Sequence, residues 1–151
     1  MTVTIEDVVA HLISTGLATE EQIVPCTAAE IEELRADWGT LPPVYERFLE
    51  TMGCGAGKLL IGTDFFYPGT LDIHDTGMEI LRDDDNLDLF PPGSTVIGLH
   101  GGYQLYWLEP EGTARLYTEE TGIIGTWPSL AEFLLAQIGF DVTAYTALGQ
   151  L

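Results

Sequence analysis

The hydrophobic period of this chain changes near residue 53, and that change limits what it can fold into. Before it, apolar residues recur at three- and four-residue spacing, the signature of helices with one buried face. After it come short apolar runs broken by glycine-containing turns, the pattern of strands that pair with their sequence neighbours. Residues 4–14 place Val8, Val9, Leu12 and Ile13 on one helical face, with Gly16 as a stop. Thr27 and Glu30 form a reciprocal capping signal for a second helix, which carries Ile31, Leu34 and Trp38 and ends at Gly39. In "LPPVYERFLETMG", Pro42 and Pro43 suit a first helical turn, where a missing amide hydrogen costs nothing. Tyr45, Phe48, Leu49 and Met52 follow on one face, and Gly53 stands where a left-handed capping glycine belongs.

Downstream, "KLLIG" and "DFFYPG" read as short strands, and residues 72–89 as a helix or an acidic loop. A meander follows in "STVIGLH", "YQLYWLE", "ARLYTE" and "GIIGTW", with Gly101-Gly102 and "PEGT" as its first turns. "PSLAEFLLAQIG" closes the pattern with a Ser129/Glu132 start, a Leu130, Phe133, Leu134 and Ile138 stripe, and Gly139 as the stop. Beyond it, "FDVTAYTALGQL" is left as a final helix or a mobile end. N-terminal helices, a central antiparallel sheet and a closing helix predict an α+β fold, one continuous domain over residues 1–151. A chain of this length buries about 70% of its unfolded surface, enough for a core without staples. Cys26 and Cys54 are its only cysteines, and they are expected to be buried thiols rather than a bridge.

"GCGAGK", Gly53 to Lys58, invites a phosphate-loop reading and fails it. The Walker pattern puts Met52 where its first glycine belongs and Leu59 where a magnesium-binding hydroxyl belongs. The element order is also reversed, because a helix enters here and a strand is expected to leave. The stretch is a helix stop and a turn. "DDDNLD" fails as a calcium loop: from Asp84, position 6 is Leu89 rather than glycine and position 12 is Thr95 rather than glutamate. His74 sits between Asp72 and Asp75 with no second histidine or cysteine near it in sequence, so a solvated histidine is expected. No neighbour in sequence activates Cys54, and neither a G-x-S-x-G elbow nor an H-E-x-x-H occurs. Catalysis has no support in the sequence, and neither a metal nor a cofactor is expected.

Charge points elsewhere. With 24 acids against 5 bases the formal net charge is -19, which repels nucleic acid and anionic membrane. No apolar run approaches the ~18 residues that span a bilayer. The N-terminus carries no basic, apolar and small-residue sequence of a secretory signal, so a cytoplasmic protein is expected. Attraction to a basic partner or plain solubility both account for the charge. The densest segment is Asp72 to Asp88, and Asp83, Asp84, Asp85 and Asp88 are the first electrostatic contact candidates. In the sheet, a two-residue Gly101-Gly102 turn pairs His100 with Tyr103, Gly98 with Leu105 and Val96 with Trp107. One face then carries Ile97, Leu99, Tyr106, Leu108, Ala114 and Leu116 as core. The other carries His100, Tyr103, Leu105, Trp107, Arg115 and Tyr117, a mixture typical of protein-binding surfaces, with Trp107 over Arg115 as a cation–π pair. A second covering segment would instead bury that face.

The order of these motifs is similar to that of the SUKH superfamily of Smi/Knr-like domains. "AAEIEELRADWGTLPPVYERFLETMGCG" resembles its opening helices, "GLHGGYQLYWLEPEGTARLYTEE" its central hairpin, and "TWPSLAEFLLAQI" its closing helix, together covering residues 27–138. Trp38, Leu41, Pro42, Tyr45, Phe48, Leu49 and Gly53 match the family pattern and are taken as structural. The first 25 residues have no counterpart, and His100 stands where acidic or small residues are more usual. The resemblance implies a non-catalytic α+β domain: in bacteria an immunity protein that neutralises a cognate toxin by binding it, in yeast a regulatory interaction protein. Contact residues vary with the toxin in this family, so none is carried over. The leading expectation is therefore an immunity protein for a basic, nuclease-like toxin. A regulatory scaffold without a toxin is the alternative, followed by a small-ligand protein or an enzyme.

Overall fold

In the computed structural model, which describes residues 2–151, the change of period is a change of architecture. Helices α1 (Ile5–Thr15), α2 (Ala28–Trp38) and α3 (Pro43–Met52) come first, with a two-stranded clasp of β1 (Ile23–Val24) and β2 (Gly55–Ala56) between them. Helix α4 (Ile73–Asp83) leads into the antiparallel meander β3 (Thr95–His100), β4 (Gln104–Leu108), β5 (Ala114–Thr118) and β6 (Gly122–Trp127), and α5 (Leu130–Ala147) follows. The fold is α+β. Thr27 starts α2 as its sequence predicts: the Glu30 amide donates to Thr27 Oγ1 at 3.2 Å and the Thr27 amide to Glu30 Oε1 at 2.8 Å. Tyr45, Phe48, Leu49 and Met52 of α3 are buried. In α1 the buried face is Ile5, Val8 and Leu12, whereas Ile13 is exposed.

Three local expectations are corrected. "KLLIG" and "DFFYPG" form no strands beyond an isolated bridge of Asp64 to Leu99. Leu59, Leu60 and Phe65 plug the core instead, while Ile61 is exposed: the Phe65 ring lies 5.6 Å from Phe48, 6.0 Å from Tyr106 and 5.9 Å from Phe133. Gly53 is right-handed, with φ −64°. It is small for packing, because a Cβ there would stand 2.6 Å from both Cys26 Sγ and Leu49 Cα. Helix α5 runs straight through Gly139 and ends eight residues later, at Ala147, in a Schellman motif. There Gly149 has φ 71°, the Gln150 amide donates to Tyr145 O at 2.8 Å, and the Gly149 amide donates to Thr146 O at 3.0 Å. Tertiary ties hold this second half: Asp141 accepts from the Leu60 amide at 3.0 Å, and Lys58 Nζ donates to Gln150 O at 2.7 Å while lying 5.1 Å from the Tyr145 ring centre.

The sheet separates two cores, since alternate residues of a strand point to opposite faces. On one face Ile97, Tyr106, Leu108 and Ala114 pack with residues of α1, α3 and α5, among them Leu12, Phe48, Phe133 and Leu134. On the other, Val96, Leu99, Leu105, Trp107 and Tyr117 pack under Ile73, Met78, Ile80 and Leu81 of α4. Leu99 thus lies opposite to its expected face, because β3 bulges between Val96 and Gly98 and reverses the alternation. The β3–β4 turn holds three residues rather than two, so His100 faces Gln104 and Gly98 faces Tyr106. His100 turns to the first face, with Nδ1 2.9 Å from Thr63 Oγ1. The pairs Val96–Trp107, Leu108–Ala114, Trp107–Arg115 and Leu105–Tyr117 stand as expected. A second shift, in β6, leaves Ile124 without a partner and half-exposed.

Candidate partner-binding surface

Helix α4 is amphipathic in charge as well as hydropathy. Its inner side brings Gly77 so close to the sheet that a Cβ there would stand 2.8 Å from Leu105 Cδ1. Its outer side exposes Asp75, Glu79, Arg82 and Asp83, one base among acids. At its C-terminal end the acids divide into two roles. Asp84 accepts hydrogen bonds from the Tyr117 hydroxyl and, at 2.9 Å, from the Glu120 amide. Those two donors, Tyr117 first, hold its carboxyl below the usual aspartate range. Asn86 Nδ2 donates to the same Tyr117 oxygen at 2.9 Å. Burial, then the Asp84 carboxylate, pushes the Tyr117 hydroxyl up. Asp84 and Asn86 of "DDDNLD" are therefore both spent on Tyr117. Asp83, Asp85 and Asp88 remain exposed.

The aromatic face is not a surface. Trp107 and Tyr117 are fully buried, because α4 and the following segment cover them, with the Phe90 ring 5.3 Å from Trp107. Nor do Trp107 and Arg115 meet ring to cation. Both donate to Glu109 Oε2, Trp107 Nε1 at 3.2 Å and Arg115 Nε at 2.9 Å, so the guanidinium neutralises a buried carboxylate. Arg115 also donates to Thr126 Oγ1 at 3.0 Å. Tyr103 alone of the aromatic candidates is exposed. It lies beside acids that the sequence reading missed: the Glu119 amide donates to Tyr103 O at 2.8 Å, and the neighbouring Glu120 amide reaches Asp84. The β5–β6 turn thereby joins Tyr103 to the end of α4. The signal was present in "TEETG", whose two acids occupy a turn, but nothing local tied that turn to residue 84.

The remaining candidates have structural partners. His74 is not simply solvated: its ring meets Trp38 edge-on, centres 4.7 Å apart. Lys58, the lysine of the glycine-rich stretch, serves the C-terminal end of α5. Cys26 and Cys54 are free thiols, but only Cys26 is buried. Their sulfurs lie 3.3 Å apart, and Cys54 Sγ is 3.5 Å from Glu30 Oε1. Burial raises both thiol pKa values. These three side chains are a group among the described residues whose donor atoms converge closely enough for one metal ion. No helix among the described residues is long and apolar enough to cross a membrane.

Comparison with known proteins gives one match. A family model described as "SMI1 / KNR4 family (SUKH-1)" matches residues 25–136, most of the chain, and leaves α1 outside it. No curated protein and no solved structure matches the chain.

Proposed function

The chain belongs to the SMI1/KNR4 family (SUKH-1), and on that premise we propose that it is a non-catalytic protein-binding domain of the immunity type. It neutralises a cognate toxin in the cytoplasm by stoichiometric binding. The observation that supports a basic partner is the convergence of exposed acids from two distant segments, Asp83 and Asp85 at the end of α4 and Glu119 and Glu120 in the β5–β6 turn, beside exposed Tyr103. A nuclease domain that grips phosphate presents a complementary basic face. Complementary charge speeds encounter and excludes wrong partners, while an aromatic anchor sets how long the complex lasts.

The test is capture on tagged protein from lysate of its own organism, eluted across a salt series, followed by kinetics on the recovered partner. One basic protein in near-equal amount, released as salt rises, supports the proposal. Reversing Asp83, Asp85 and Glu119 to lysine should slow association at low salt by about tenfold or more and leave dissociation nearly unchanged. Tyr103→Ala should act on dissociation instead. An unchanged association rate in the folded triple variant would remove the acidic face from the interface. Recovery of a neutral housekeeping protein would favour a regulatory scaffold.

A further inference from the structure

We propose that Cys26, Cys54 and Glu30 form a binding site for a thiophilic divalent cation of the zinc class. The three donor atoms, one from each side chain, all lie within 4.8 Å of one another. A tetrahedral zinc ion with bonds of about 2.3 Å to sulfur and about 2.0 Å to oxygen sets neighbouring sulfurs ~3.8 Å apart and sulfur and oxygen ~3.5 Å apart. The distances found are 3.3 Å for Cys26 Sγ to Cys54 Sγ and 3.5 Å for Cys54 Sγ to Glu30 Oε1. The sulfurs need to part by only a few tenths of an ångström. Two thiolates select zinc over magnesium or calcium, which prefer all-oxygen ligands.

The backbone holds these donors in place independently of any ion. The Cys26 amide donates to Leu49 O at 2.8 Å, and the Cys54 amide to Val24 O at 2.9 Å. Gly53 leaves the space that Cys26 Sγ fills, since a Cβ there would stand 2.6 Å from that sulfur. Glu30 Oε1 receives the Thr27 amide at 2.8 Å, the kind of outer contact that orients a ligating carboxylate. Glu30 is also what points to a cation rather than a disulfide, because a bridge makes no use of a carboxylate beside its sulfur. Cys54 and Glu30 are half-buried, so the cluster lies near the surface. On binding, each thiol releases its proton to solvent and both sulfurs bind as thiolates. The site ties the segment before α2 to the end of α3.

The probe is Co2+ added to reduced protein under anaerobic conditions, with Zn2+ as competitor. One equivalent should produce a thiolate-to-cobalt charge-transfer band in the near ultraviolet, and Zn2+ should abolish it. Cys54→Ser, at the half-exposed position, should remove most of the band, and Cys26→Ser should do the same where it folds. Glu30→Gln should keep a thiolate band while weakening Zn2+ binding by about tenfold or more. Absence of the band in fully reduced protein would overturn the proposal. So would a band that survives Cys54→Ser, or binding unchanged by all three substitutions, which would place the ion on the acidic surface.

Discussion

The two faces of the sheet are covered in different ways. The first lies under helices drawn from both ends of the sequence, α1, α3 and α5, with Phe65 inserted among Phe48, Tyr106 and Phe133. The second lies under α4 and the short segment through Phe90, fastened at one end by the bonds among Asp84, Asn86 and Tyr117. Both covers present acids to solvent, Glu6 and Asp7 of α1 and Glu50 of α3 on the first and Asp75, Glu79 and Asp83 of α4 on the second, but only the second is a single helix. Like charges along that helix repel, and a glycine in its interior costs about 1 kcal/mol relative to alanine. Its stability therefore rests on contact with Val96, Leu105 and Trp107. In the proposed interface, the charge that attracts a partner is mounted on the thinner lid.

The largest test of this contrast is Phe48→Ala in the first core, expected to cost about 3–5 kcal/mol in urea unfolding, with every element lost together. Leu81→Ala under α4 should cost about 2–5 kcal/mol and first accelerate amide exchange in α4 and the residues through Phe90. Equal acceleration in α1 and α5 would abolish the distinction between the covers. Gly77→Val should push α4 off Leu105 and cost about 1–3 kcal/mol by overpacking. A stability gain there would mean that the lid is looser than its contacts indicate. The smallest effect concerns pH. The Asp84 carboxyl is held low in the folded protein, so its contribution is present above the unfolded value of about 4 and is lost as pH falls through the lower folded value. The stability gap between the protein and Asp84→Asn should thus be constant at neutral pH and close below about pH 4. A gap that persists in stronger acid would assign it to packing.

What the sequence disclosed follows the range of the forces involved. Helices α1 to α3 and the four-stranded meander were legible because a capping box, a proline turn or alternating residues act within a few positions. The helix through Gly139 was not, because the ties that hold its second half come from Leu60 and Lys58, far away in the chain. Nor was the β3 bulge, which turns Leu99 to the second face. Alternation sorted Trp107 and Tyr117 together correctly but could not say which helix would lie over them. The acid run of Asp83 to Asp88 was plain, yet Asp84 differs from its neighbours only because Tyr117 and Glu120 reach it. Cys26 and Cys54 each looked inert alone, and Glu30 stood only as a helix cap. Their proximity depends on the clasp of β1 with β2.

The shift that strands Ile124 has a consequence for how anything docks. Strand β6 is an outer strand of the sheet, and outer strands offer free amides and carbonyls that recruit foreign chains. A bulge interrupts that template, and the flanking Gly122 and Gly125 supply no side chain to grip. A visiting peptide therefore finds poor purchase for backbone zippering along this rim. In the proposed interface, recognition falls to side chains on the lid and turns, where point substitutions can retune it while the ladder beneath stays unchanged.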